Sequence, residues 1–98
     1  MIKKFKQLKM LSNADIENTL LEKNSILYFT KDNSELENII NNSKISKSLL
    51  NNKYKKYHKI IEEDINKEIL NDILDNIIPS YMIIKNKKII EIGTFDII

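Results

Sequence analysis

Few side chains in this chain could carry chemistry. There is no cysteine and a single histidine, so thiol nucleophiles, disulfides and cysteine-type zinc sites are ruled out, and an imidazole can act at one position only. Ser34 opens Ser-x-x-Glu with Glu37 ahead of an apolar helical run, which places its hydroxyl near a helix N-terminus, where an anion would be stabilised. A serine nucleophile needs an adjacent base, and the neighbouring sequence supplies none. Reciprocal capping with Glu37 explains the pair more simply. His58, within KYKKYHK, has no acidic partners at ligand spacing and is expected as a surface strand residue. Glu62-Glu63-Asp64 contains cation-binding residue types, but strand-end charges followed by a helix cap account for it. Between Lys44 and Lys59, six lysines interleave with Tyr54 and Tyr57, a mixture that can neutralise phosphates and stack on unpaired bases. Half of that run straddles a helix-to-strand loop, where solvated lysines are ordinary. Nucleic acid is therefore not the expected partner, and no metal or cofactor is expected.

The whole chain sets the frame for these residues. Its 98 residues leave room for a single domain over positions 1–98, and 42% hydrophobic with 31% charged residues is an ordinary globular composition. A net charge of +2 is too balanced to argue for a nucleic-acid or membrane surface. The opening MIKKFKQLKM breaks its apolar residues with lysines, unlike a secretory leader, and no run approaches the roughly 18 apolar residues of a membrane helix. A cytoplasmic protein is the expectation. The abundance of Asn, Ile and Lys implies an AT-rich genome.

The pattern predicts a first strand over Lys4 to Met10 and a helix capped by Ser12 or Asn13, with Ile16, Leu20 and Leu21 inward. Ser25 to Thr30 is short, β-favouring and free of alternation, as a strand buried on both faces would be. The helix after Ser34 falters at Asn41-Asn42-Ser43, where a kink or break is expected, and ends at Asn51-Asn52-Lys53. Tyr57 to Glu62 reads as a strand. A helix capped by Asp64 or Asn66 follows, with Ile65, Ile69, Leu70, Ile73 and Leu74 in one stripe. Ser80 to Ile84 and Lys88 to Ile92 form a hairpin about Asn86-Lys87, and Gly93 ends it. The order β-α-β-α-β-α-β-β is an α/β arrangement, a mixed sheet with helices on both faces.

That order, with "LSNADIENTLLEKNSILYF" and "EEDINKEILNDILDNIIPSYMIIKNKKIIEIG", resembles the thioredoxin family from about Leu11 to Gly93. Asp64 and Asn66 match the acidic turn, and Ile78-Pro79-Ser80 is similar to the family's Ile-Pro-Thr. By itself Pro79 is either a trans proline that stops a helix or a cis proline that starts a strand; the resemblance implies the second. The departures bear on function. The Cys-x-x-Cys of the family would fall on Ser34-Glu35-Leu36-Glu37, its buried acid on Tyr28 and the glycine of its final hairpin on Lys87, while only Thr94 to Ile98 stands in place of its closing helix. Thiol-disulfide exchange is thereby excluded. The resemblance implies a redox-inactive module that binds another protein or peptide through Ser34, Ile78, Pro79 and Ser80. An alternative is an assembly subunit, docking on a copy of itself through a sheet face left bare by the short tail. An enzymatic reading rests on Ser34 or on glutathione binding alone.

Overall fold

The computed structural model describes residues 8–10, 24–60 and 79–96. Expectations for residues 1–7, 11–23, 61–78 and 97–98, including the first and third helices and the Glu62-Glu63-Asp64 triplet, lie outside the described residues.

Among the described residues, five strands form one sheet in the order β1-β3-β2-β4-β5: β1 (Lys9–Met10), β2 (Asn24–Thr30), β3 (Lys55–Ile60), β4 (Ser80–Lys85) and β5 (Lys88–Thr94). β1, β3 and β2 run parallel, whereas β4 and β5 are antiparallel to their neighbours. The mixed sheet expected from the sequence is therefore present. β2 lies at its centre, and every residue from Ser25 to Thr30 is buried. An uninterrupted β-favouring run satisfies both faces of such a strand at once.

Two helices connect β2 to β3: α1 (Asn33–Asn42) and α2 (Lys44–Leu50). Leu36, Ile39 and Ile40 of α1 and Leu49 and Leu50 of α2 pack with Leu8, Ile26, Tyr28 and Tyr81 in one cluster. Both helices thus cover the same sheet face. The break expected at Asn41-Asn42-Ser43 falls at Ser43, which ends α1 by donating its N–H to the Ile39 carbonyl at 2.9 Å. It also starts α2, its hydroxyl oxygen accepting from the Ser46 N–H at 3.1 Å. One residue closes one helix and caps the next.

The tail after β5 holds this joint. Asp96 accepts from the Ser43 hydroxyl at 2.5 Å, the Ile45 N–H at 3.0 Å and the Lys44 N–H at 3.2 Å. Those contacts, led by the Ser43 hydroxyl, hold its carboxyl below the usual range. Phe95 rests on Tyr28 and Tyr81, with ring centroids 5.0 and 5.3 Å apart. The sheet face expected to be bare is therefore covered over β2 and β4, where Tyr28 is fully buried and Tyr81 is 7% exposed. Among the described residues, large exposed apolar side chains lie instead on β5, at Ile89, Ile90 and Ile92, and on β1, at Met10.

The β4–β5 turn is the expected two-residue loop, with Asn86 at φ 54° and Lys87 at φ 65°. Both angles are left-handed, as a turn matching the twist of a hairpin demands. Gly93 does not end β5, which continues to Thr94. Its lack of a side chain seats the Tyr81 ring: a Cβ at Gly93 would lie 2.5 Å from the Tyr81 hydroxyl oxygen.

Candidate functional site

β2 ends where the site begins. The Thr30 hydroxyl donates to the Asp32 carbonyl at 3.3 Å, turning the chain out of the sheet and into α1. Asp32 has extended backbone, φ −162° and ψ 174°, and its carboxylate accepts from the Glu35 N–H at 2.8 Å. Glu35 in turn accepts from the Lys31 N–H at 3.0 Å. Asp32, not Ser34, is the N-cap, and the acid that reaches back is Glu35, not Glu37, accepting from Lys31, one residue before the cap. The expected pairing is thus displaced by two residues and is not strictly reciprocal. Asp-x-x-Glu and Ser-x-x-Glu overlap in this stretch, and aspartate caps as well as serine does, so local pattern alone does not separate them.

Freed from capping, Ser34 lies exposed in the first turn of α1 and faces Pro79 across an open cleft of about 540 Å³. Among the described residues, Lys31, Asp32, Glu35 and Asn38 also line it. Asn38 lies four residues after Ser34 on the same helical face, a spacing that would have disclosed it from sequence. It accepts from the Asn42 side-chain amide at 2.6 Å, which orients its amide group. Lys31, Asp32 and Glu35 carry no signal of their own in the sequence, because their roles depend on where β2 stops.

The sequence-predicted residues separate. Ser34 and Pro79 share the cleft. Ser80 adjoins Pro79 but is only 2% exposed, paired through the strand between Phe29 and Thr94, and its hydroxyl has no hydrogen-bond partner among the described residues. Its side chain is not among the described ones that line the cleft. Ile78 lies outside the described residues.

Chemically the cleft is sparse. Among the described residues no histidine lines it, and the Asp32 and Glu35 carboxylates already accept backbone N–H groups. Tyr28 does not line it either: its hydroxyl donates to the Ser46 carbonyl at 3.1 Å and lies 2.9 Å from the Ser46 hydroxyl oxygen. Burial pushes the Tyr28 hydroxyl up to about 12, against the opposing effect of the Ser46 bond, so it stays protonated at neutral pH. His58, expected on the surface, is 4% exposed. It lies on an internal strand, between Met10 of β1 and Tyr28 of β2, and burial lowers its pKa. Tyr57 is buried too, and Lys56 donates its ammonium to the Asn52 and Tyr54 carbonyls. Among the described residues no cluster of three His, Asp or Glu could hold a metal ion, and no helix is long and apolar enough to cross a membrane.

Solved structures share this architecture. Thioredoxin f2 of Chlamydomonas reinhardtii superposes with a TM-score of 0.65 at 16% identity, over 90% of this chain and 83% of that one. Thioredoxin of Trypanosoma brucei brucei superposes with a TM-score of 0.61 at 17% identity, over 90% of this chain and 78% of that one. Neither a protein-family model nor a curated protein sequence matches the chain. The fold is thus that of a thioredoxin, and the chain has no cysteine with which to exchange disulfides.

Proposed function

We propose that this chain is a redox-inactive thioredoxin-like module that binds an extended segment of another protein in the cleft between Ser34 and Pro79. The observation that carries the reading is the meeting of an exposed helix first turn and the start of a sheet strand around one open cleft that has no thiol and, among the described residues, no histidine. Such a cleft offers main-chain groups and small polar side chains, which suit a peptide held in extended form. The reading takes the Ile78–Pro79 bond as cis and includes Ile78 and Ser80 as backbone contributors, with Ser34, Asn38 and Pro79 contributing side-chain surface. Catalysis, a cofactor and nucleic acid are not part of it. The buried Tyr57 and the internally bonded Lys56 leave the basic loop poorly suited to base stacking.

Selection of linear peptides from a random displayed library, followed by fluorescence anisotropy, tests the proposal. Ser34→Trp fills the cleft from an exposed position and should abolish binding of the selected peptides without disturbing the fold. Equal affinity of wild type and Ser34→Trp for every selected peptide overturns the assignment.

A second reading, assembly with a copy of itself, is favoured by the exposed isoleucines of β5. It does not draw on the face over β2 and β4, which Phe95 covers.

A further inference from the structure

β5 is the last strand of the sheet, and its outer edge pairs with nothing among the described residues. Ile89, Ile90 and Ile92 are 44%, 56% and 44% exposed along it. An edge strand carrying three such side chains is a ready template for another strand. Opposite Ile83 and Ile84 of β4 the register shifts, since Ile83 pairs with Glu91 and Ile84 with Ile89. Ile90 is therefore an extra residue, a β-bulge.

The bulge rearranges charge. In a regular strand, residues three apart point to opposite faces. Here Lys88 lies opposite Lys85 and Glu91 opposite Ile83, two β4 positions that share a face. Lys88 and Glu91 therefore point the same way, and Ile89 and Ile92, opposite Ile84 and Met82, point the other way. The segment Lys88-Ile89-Ile90-Glu91 becomes complementary to itself when reversed.

We propose that the β5 edge pairs antiparallel with the β5 edge of a second copy, about a twofold axis between Ile89 and Ile90. Lys88 of each chain then meets Glu91 of the other on one face, with Ile89 set opposite Ile90 beside the axis. Such isologous contact is the commonest form of homodimer. Lysines and a bulge normally protect an edge from indiscriminate pairing. In this strand they leave one partner whose charges and register both fit. The proposal rests on the second reading above and on nothing in the peptide cleft. Its short ladder buries less than the surface of a standard stable interface, so the dimer is concentration-dependent.

Sedimentation velocity of the full chain across the micromolar to millimolar range provides the test. The wild type should shift from monomer to dimer as concentration rises. Lys88→Glu and Glu91→Lys alone should each weaken dimerisation about tenfold, because like charges then face one another across the ladder. Mixing the two single variants places opposite charges at both contacts and should restore dimerisation, a recovery that misfolded chains would not give. Ile90→Lys, at an exposed position, should leave a monomer with an unchanged circular dichroism spectrum. Ser34→Trp should dimerise as wild type does, even if peptide binding fails. A chain that stays monomeric throughout, or a dimer indifferent to all three β5 substitutions, overturns the proposal.

Discussion

Replacing Phe95 with alanine tests whether the tail helps hold the sheet together. Phe95 is half-buried and lies against two buried rings, Tyr28 at 5.0 Å and Tyr81 at 5.3 Å. Full burial would make Phe→Ala cost about 3 to 5 kcal/mol. Half of that is roughly 2 kcal/mol, and for a half-buried ring the two tilted contacts together add up to about 1 kcal/mol, taken at the low end of about 0.5 kcal/mol for each pair. We expect Phe95→Ala to lose about 2 to 3 kcal/mol, equivalent to a fall in Tm of roughly 10 to 20 °C for a domain of this size. Urea unfolding followed by circular dichroism should show a lower midpoint with unchanged slope, since the same surface is exposed on unfolding. Phe95→Leu, which keeps much of the apolar area but loses the ring geometry, should fall between. A loss below about 0.5 kcal/mol for Phe95→Ala, the range of ordinary surface substitutions, would refute the reasoning. It would mean that Tyr28 and Tyr81 stay covered without the ring.

Four further outcomes follow from particular contacts. Gly93→Ala should cost about 1 to 3 kcal/mol by overpacking, because its methyl would meet the Tyr81 ring where that ring is wedged against Phe95; urea unfolding measures it, and a neutral effect would mean that the ring moves freely. Asp32→Ala should cost about 1 kcal/mol through loss of the helix cap, whereas Ser34→Ala should change stability little, and the opposite ranking would restore Ser34 as the cap. The Asp96 carboxyl is held low in the folded chain, so its stabilisation is present above the ordinary carboxylate value of about 4 and disappears as pH falls through its lowered folded value; Asp96→Asn should remove that part of the acid slope in pH-dependent unfolding. His58 is also lowered, here by burial, so the unfolded chain binds its proton more readily. Stability should fall as pH drops below about 6.5 and level off beneath the folded value, with His58→Gln flattening that window.

Much of the fold was legible because local signals agreed with tertiary demand. The unbroken Ser25 to Thr30 run could satisfy only a strand buried on both sides, and β2 occupies that place. Asn41-Asn42-Ser43 combined poor helix formers with a good cap, and the helix divides at Ser43. The Asn86-Lys87 turn was announced by the tolerance of Asn for left-handed backbone. Other features were hidden because they depend on distant residues. His58 read as exposed among lysines, but β1 pairs on its far side and makes β3 internal. Of the neighbouring lysines on β3, Lys55 is exposed, whereas Lys56 turns its ammonium to the Asn52 and Tyr54 carbonyls. The role of Gly93 could not be read locally, since its reason is the ring of Tyr81 on the adjacent strand.

The candidate site was half legible for the same reason. Ser34 and Pro79 are far apart in sequence, and only the thioredoxin-like order of elements placed them on one cleft. Ser80 was expected to line that cleft, but strand alternation turns its side chain into the sheet interior. The Asp32 cap then decides which first-turn residues face outward.

Chemical-shift mapping is the most direct test of the central claim. ¹⁵N-labelled protein, titrated with a library-selected extended peptide, should show its largest amide perturbations at Lys31, Ser34, Asn38 and Ser80. Perturbations centred on β5, or spread with no focus beside Pro79, would contradict a thiol-free thioredoxin cleft that works by holding a strand.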